Sequence, residues 1–510
     1  MAALKKLLDS LDDALLRGMR RGIEKESLRA RPDGTLALTP HPQALGSPLT
    51  HPHITTDFSE SQLELITGPR ASVDEMLEEL AHIHQAVYQA IGEEVLWCSS
   101  MPCMLPADDA IPLGQYGSSN VGRAKTVYRM GLGYRYGRRM QTISGIHYNW
   151  SLPGRSSEQY FALVRNFRRN AWLLFYLFGA SPAVCESFVR GHARHGLQAL
   201  APGTLYLPHA TSLRMGRLGY QSDAQSTLAV SYNSLAEYGA SLYDALVTPY
   251  APYEKVGLKE ESGPAKGEYR QLSTSLLQIE NEFYGKIRPK RTIHPGERPL
   301  HALRERGVEY VEVRLMDLDP FHPVGISAPV CRFLDVFLLH CLLSESAPDS
   351  PAEIAAINRT QERVAARGRE PGLVLQRGGR DVPLREWGAQ LVAECAPVAE
   401  RLDAVFGGAA YAAAVAAAAA ALEDPESVPS ARVLHAMQRN HGGSYLRFAL
   451  AESLLHRGSL AAAPLPAKVA EQFAAQARAS LAEQRDLEAS DRTDFETWRR
   501  RYLDPANLKI

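Results

Sequence analysis

Cysteine is scarce in this chain. Its 510 residues hold six, Cys98, Cys103, Cys185, Cys331, Cys341 and Cys395. No two stand in CxxC spacing, and a structural zinc site needs tighter clustering than this. A long, cysteine-poor chain is expected to carry reduced, mostly buried thiols in a reducing compartment. An excess of one charge is also missing. Lys plus Arg number 56 and Asp plus Glu 57. That balance removes the electrostatic case for nucleic acid as the main partner, though a local anion site stays open. No apolar run reaches the ~18–20 uncharged residues that a membrane span requires. The nearest, Ala409 to Leu422, is alanine and fits an ordinary helix. The first 22 residues carry acids inside their apolar pattern, which predicts an amphipathic helix and no signal peptide. No GxxxxGK[ST] string occurs, and the GLGYRYG string has Tyr136 where GxGxxG needs glycine. Neither a P-loop nor a dinucleotide-binding fold is expected.

Against these absences stands Ile54 to Thr67, ITTDFSESQLELIT. Leu63 and Leu65 point one way and Gln62 and Glu64 the other, the period of a strand with two unlike faces. A carboxylate buried and unpaired on such a strand costs on the order of 2–7 kcal/mol. It has to meet water, a cation or a substrate. Asp57 and Phe58 stand just upstream.

The pattern recurs three times. In GIEKESL, Glu24 and Glu26 share a face on a strand, whereas on a helix they would lie about 200° apart. In VEYVEVRL, Val311, Val313 and Leu315 form one face and Tyr310, Glu312 and Arg314 the other. In TISGIHYNWSL, His147 and Asn149 fall on one side. If the four polar faces converge, they line a site of hard oxygen donors suited to Mg2+ or Mn2+.

Residues 1 to about 20, Ser72 to Glu94, Ala124 to Gly137, Glu158 to Phe178 and Leu235 to Leu246 carry helical periods. Cys98 to Gly122 is irregular and proline-rich, the kind of loop that carries substrate contacts. Leu272 to Arg291 reads as a strand leading into a basic loop, whose arginines and lysine are either solvated or phosphate contacts. From about Val330 strand signals fade and seven helical segments follow. The expected division is a sheet-bearing catalytic part, 1–330, with a helical part, 331–510, packed on it as one unit.

These motifs resemble the proteobacterial-type glutamate-cysteine ligases. The matching strings are RGIEKESLR, LTHPHITTDFSESQLELIT, QYGSSNVGRAKTVYR, RYGRRMQTISGIHYNWSLP, FGASPAVC, ATSLRMGRLGY, LQIENEFYGKIRPKR and GVEYVEVRLMDLDPF. They keep the family's order. The resemblance implies an α+β, glutamine-synthetase-like fold: a curved, mainly antiparallel sheet forming a funnel, surrounded by helices, with a helical C-terminal part. It implies ATP-dependent joining of the glutamate γ-carboxylate to the cysteine amine through a γ-glutamyl phosphate, the first step of glutathione biosynthesis. ATP and Mg2+ (or Mn2+) are the implied cofactors, small molecules the only partners, with neither nucleic acid nor membrane, and the cytoplasm the expected location.

Roles carry over position by position. Glu24, Glu26, Asp57, Glu64, His147 and Glu312 match the family's metal-site positions. Arg314 matches the arginine beside the transferred phosphoryl group, with Glu312 as its catalytic partner. Phe58, Tyr128, Leu132, Gln141, Tyr220 and Tyr284 match the pocket for the cysteine substrate, and Arg214 an arginine that binds substrate carboxylate. Arg288, Lys290 and Arg291 are the expected ATP contacts. A related ligase for another amine shares the activating chemistry, and a binding protein that kept the fold is the third reading.

Overall fold

The computed structural model describes residues 2–191, 195–219, 223–226, 228–294 and 296–508. Its strands are β1 (Arg20–Ala30), β2 (Ile54–Thr56), β3 (Gln62–Ile66), β4 (Val95–Leu96), β5 (Ile146–Ser151), β6 (Ala183–Cys185), β7 (Gln198–Ala201), β8 (Thr204–Tyr206), β9 (Ile287–Lys290), β10 (Tyr310–Met316), β11 (Val374–Arg377) and β12 (Arg380–Pro383). The main sheet runs β2-β3-β1-β5-β10-β9, with β4 paired to the end of β1. Every pairing in it is antiparallel.

Register decides which residues meet. Glu26 lies across from Glu64, Glu24 from His147, and Glu312 from Asn149 on one side and Arg288 on the other. Directly opposed residues share a face, so five strands present one continuous polar surface. The other face carries Ile23, Leu63, Leu65, Tyr148, Trp150, Val311 and Val313, all buried. Helices Val73–Ala90 and Ser157–Asn170 lie on the sheet, and Ala328–Leu343 packs across both helices. Each such side chain removed from water contributes roughly 1.5–3 kcal/mol, which pins the register: a one-residue slip would turn the carboxylates into this core.

The C-terminal helices share that core, and a buried polar knot ties them to β1. Arg21 Nη2 of β1 lies 2.9 Å from Asp335 Oδ2, both side chains fully buried. Tyr148 Oη donates to Asp335 Oδ1 at 2.8 Å, and Tyr411 Oη stands 3.4 Å from the other oxygen.

Several expectations need correction. Cys103 and Cys185 are joined by a disulfide, their Cα atoms 5.2 Å apart, within the usual span for such a bond; only Cys98, Cys331, Cys341 and Cys395 are free, all buried. The two partners lie 82 residues apart in sequence, and the fold alone brings the proline-rich loop against β6. Leu272 to Glu282 is irregular with a short 3-10 turn at Glu280–Glu282, and the basic stretch itself forms β9. Pro289 is tolerated there because β9 is an edge strand. The first residues form two short helices, Ala2–Asp9 and Asp13–Arg17, before β1 begins. The aromatic helix breaks into Ser157–Asn170 and Trp172–Phe178. The helical part also contains the hairpin β11–β12. Gly378 and Gly379, with φ of 57° and 81°, make the two-residue turn, where both central residues need positive φ.

Candidate active site

The polar face of the sheet is the floor of a cleft of about 370 Å³. Glu24, Glu26, Asp57, Glu64, His147, Glu312 and Arg314 all line it. So do Phe58, Tyr128, Leu132, Gln141 and Tyr284, and also Arg288 and Lys290. Chain segments separated by nearly three hundred residues thus meet in one space.

At its centre, ligand atoms of Glu24, His147 and Glu312 all lie within 4.8 Å of one another. His147 Nδ1 stands 3.1 Å from Glu24 Oε2 and 3.7 Å from Glu312 Oε1, and its Nε2 is 3.5 Å from Glu26 Oε1. Arg314 Nη1 is 3.3 Å from the same Nδ1 and 3.1 Å from Glu312 Oε2. A proton on Nδ1 serves Glu24; a bare Nδ1 accepts from Arg314. Asn149 Nδ2 donates to Glu24 Oε1 at 2.9 Å, and the Gly145 N–H donates to Glu26 Oε2 at 2.7 Å. Lys290 Nζ lies 3.2 Å from Glu312 Oε1.

The electrostatics divide the carboxylates in two. Burial raises Glu26 to about 8, with Asp57 adding to it. Burial also raises Glu64 well above the usual range, and its neighbours Glu24, Asp57 and Glu26 push the same way. Burial acts upward on Glu312 too, but Lys290 and Arg314 outweigh it and hold that carboxyl well below its ordinary value. Burial and then Arg314 lower His147. A cluster whose members resist ionising together lacks positive charge. Oxygen donors converging with one imidazole fit a hard divalent cation, and Glu312, paired with both Lys290 and Arg314, keeps its charge to offer to one.

Two expected site residues stand elsewhere. Arg214 is buried behind the floor, its Nη2 donating to the Arg314 carbonyl at 2.9 Å and its Nη1 3.8 Å from Asp317 Oδ1. It passes Gly145 so closely that a Cβ there would fall 2.0 Å from Nη2. Arg291, the residue just past β9, donates to the Arg306 carbonyl at 2.7 Å and pairs with Glu309 at 3.5 Å. Tyr220 lies outside the described residues.

The cleft also has members that the sequence reading passed over. Lys125 and Arg129 line it from helix Asn120–Tyr136, on the face that carries Tyr128 and Leu132. Their i, i+4 spacing was the available signal. Arg129 Nε donates to the Asp57 carbonyl. Trp498 and Tyr502, from helix Phe495–Tyr502, complete one wall. Nothing local in the sequence ties them to a sheet that ends at Met316.

The chain matches the family model described as glutamate-cysteine ligase over residues 4–364. It is 48% identical to the glutamate-cysteine ligase of Alcanivorax borkumensis over 510 residues, covering 96% of this chain and 97% of that protein. It is likewise 48% identical to the enzyme of Pseudomonas aeruginosa over 502 residues, 95% of this chain and 94% of that one. Among solved structures, it superposes on the glutamate-cysteine ligase of Francisella tularensis in complex with AMP with a TM-score of 0.90 at 36% identity, covering 96% of this chain and 98% of the other. The glutamine-synthetase-like α+β architecture is therefore the one this chain adopts. With the carboxylate-lined cleft, these likenesses establish that the chain belongs to the glutamate-cysteine ligase family, the ATP-dependent ligases that form γ-glutamylcysteine in the first step of glutathione synthesis.

Proposed function

We propose that the cleft performs the ligation with the residues named above and with Mg2+, or Mn2+, held by Glu24, Glu26, Asp57, Glu64, His147 and Glu312. The observation that carries this reading is the meeting of Glu24, His147 and Glu312 ligand atoms within 4.8 Å beside Arg314. A carboxylate is a poor acyl donor, since oxide cannot leave. The glutamate γ-carboxylate attacks the ATP γ-phosphorus, the bond to the β-phosphate oxygen breaks, and ADP departs. The cysteine amine then attacks the acyl phosphate; the C–O bond breaks, phosphate leaves and the amine loses a proton. Two anions must first approach one another, and divalent cations bound to these carboxylates would supply the charge neutralisation.

The side chains of this chain do the rest. Arg314, fixed by Glu312, offers its guanidinium to the phosphoryl oxygens, where charge spreads as the bond breaks. Arg214 anchors the Arg314 backbone rather than meeting substrate. Arg288 and Lys290 face the nucleotide phosphates. Phe58, Tyr128, Leu132, Gln141 and Tyr284 form the seat for cysteine, with Gln141 Nε2 donating to Tyr284 Oη at 2.9 Å. None of the free thiols takes part, since all four are buried.

The near-zero charge supports small molecules as the partners and no nucleic acid, and no described helix is long and apolar enough to cross a membrane. We assign the protein to the cytoplasm, where ATP is. The deciding experiment incubates the protein with glutamate, ATP and Mg2+, with and without cysteine. Cysteine-dependent ADP and a γ-linked dipeptide by mass are expected. Equal ADP formation with other amines would give the chain a different acceptor.

A further inference from the structure

Tyr284 lines the cleft, and the groups that hold it decide where its ring points. We propose that Gln225 is a positioning residue for the amine-binding end of the cleft: it grips Tyr284 by the backbone and so sets the cysteine pocket without touching substrate. This rests on the reading of Tyr284 as part of the cysteine seat.

Gln225 belongs to the short helix Asp223–Ser226, 59 residues before Tyr284. It is half-buried and does not line the cleft itself. Its amide makes three hydrogen bonds. Oε1 accepts from the Tyr284 N–H at 3.1 Å, while Nε2 donates to the Glu282 carbonyl at 2.9 Å and to Tyr136 Oη at 3.2 Å. The stretch it holds lies outside the sheet, since β9 begins at Ile287. A primary amide offers the C=O and N–H that the edge of a strand offers, so Gln225 brackets Glu282 and Tyr284 as a neighbouring strand would.

The far side of this bracket is fixed. Burial keeps the Tyr136 phenol protonated, and its Oη donates to Glu282 Oε1 at 2.7 Å. The same oxygen lies 2.9 Å from Arg135 Nη1, with both side chains fully buried. Glu282 Oε2 accepts from the Gln278 N–H at 2.6 Å. The Tyr136 ring meets the Tyr284 ring edge-on, with centroids 5.7 Å apart. Tyr284 is therefore held at its backbone by Gln225, at its ring by Tyr136 and at its hydroxyl by Gln141. Losing the Gln225 amide releases the backbone from which the ring projects. An amine that must reach an acyl phosphate tolerates little such movement, because misplacement by about an ångström already slows attack.

The test uses the full chain with Gln225→Met, which keeps the side-chain length and loses all three bonds, and Tyr136→Phe, which removes only the hydroxyl. Each is first checked by thermal melting. Gln225→Met is expected to raise KM for cysteine roughly five- to ten-fold, with KM for ATP and for glutamate moving less than about two-fold. Tyr136→Phe should raise cysteine KM less. The double variant should fall short of the product of the two effects, because the side chains share a hydrogen bond. A residue that only stabilised the fold would lower Tm and leave the KM values in step. Amide exchange read by mass spectrometry is independent of turnover: peptides containing Tyr284 should exchange faster in Gln225→Met. The proposal is overturned if folded Gln225→Met keeps its cysteine KM, if its ATP KM rises equally, or if exchange at Tyr284 is unchanged. If Gln225→Met does not fold, Tyr136→Phe decides, and an unmoved cysteine KM there sinks the proposal. Should the wild type prefer another amine, the cysteine reading fails, and the same KM comparison made with that amine decides the role of Gln225.

Discussion

Glu24 of β1 stands directly across the antiparallel ladder from His147 of β5, and their side chains meet at 3.1 Å on the floor of the cleft. His147 is buried and Glu24 half-buried, and each makes sense only as half of a shared donor set. His147→Ala should therefore raise the Mg2+ concentration needed for half-maximal cysteine-dependent ADP formation, by about ten-fold or more. Glu312→Gln, which removes a ligand charge and the partner of Arg314, should lower kcat by roughly 10²–10³. Metal titrations of both variants check this; an unaltered metal requirement in each would remove the assignment.

Glu64 offers the opposite sign for stability. Burial and three neighbouring carboxylates oppose its ionisation, so the cluster strains against itself without a cation. Glu64→Gln should melt no lower than the wild type in chelator, and higher if repulsion dominates, while activity collapses. Adding Mg2+ should raise the wild-type Tm, because binding to the folded state alone stabilises it, and should raise that of Glu64→Gln less. Melting curves with EDTA and with Mg2+ read both effects.

The amine pocket is tested at Tyr284, whose hydroxyl accepts the Gln141 amide at 2.9 Å. Tyr284→Phe leaves that amide short of a partner, a loss of about 1–1.5 kcal/mol. KM for cysteine should rise roughly five- to ten-fold, with KM for ATP unmoved. Initial rates at varied cysteine and at varied ATP separate the two.

Asp335 binds the sheet to the C-terminal helices. Removing its side chain in Asp335→Ala strands the Arg21 guanidinium in the core, at a cost of about 3–5 kcal/mol. Asp335→Asn keeps acceptors for Tyr148 and should lose less. Denaturant midpoints rank the three proteins.

How much of this was legible beforehand follows from how far each signal reaches. Period-two alternation is local, so the faces of β1, β3, β5 and β10 could be read residue by residue, and with them Glu24, Glu26, Glu64, His147 and Glu312. Long helical periods such as Leu384–Phe406 were legible for the same reason. A turn of two glycines was there to be seen at Gly378 and Gly379, but the four-residue strands on either side of it are too short for a clear period.

Pairings between distant segments left no comparable trace. The bond between Cys103 and Cys185, the turning of Arg214 to the back of the floor and the arrival of Trp498 in the cleft that Tyr128 lines each depend on where separate elements pack. The sequence by itself determined which residues carry carboxylates on one face of a strand, because alternation is a property of consecutive residues. Only the tertiary structure decided that those faces meet, which cations stand among them and which helix closes the cleft, because register and packing set distances between residues that the chain holds hundreds of positions apart.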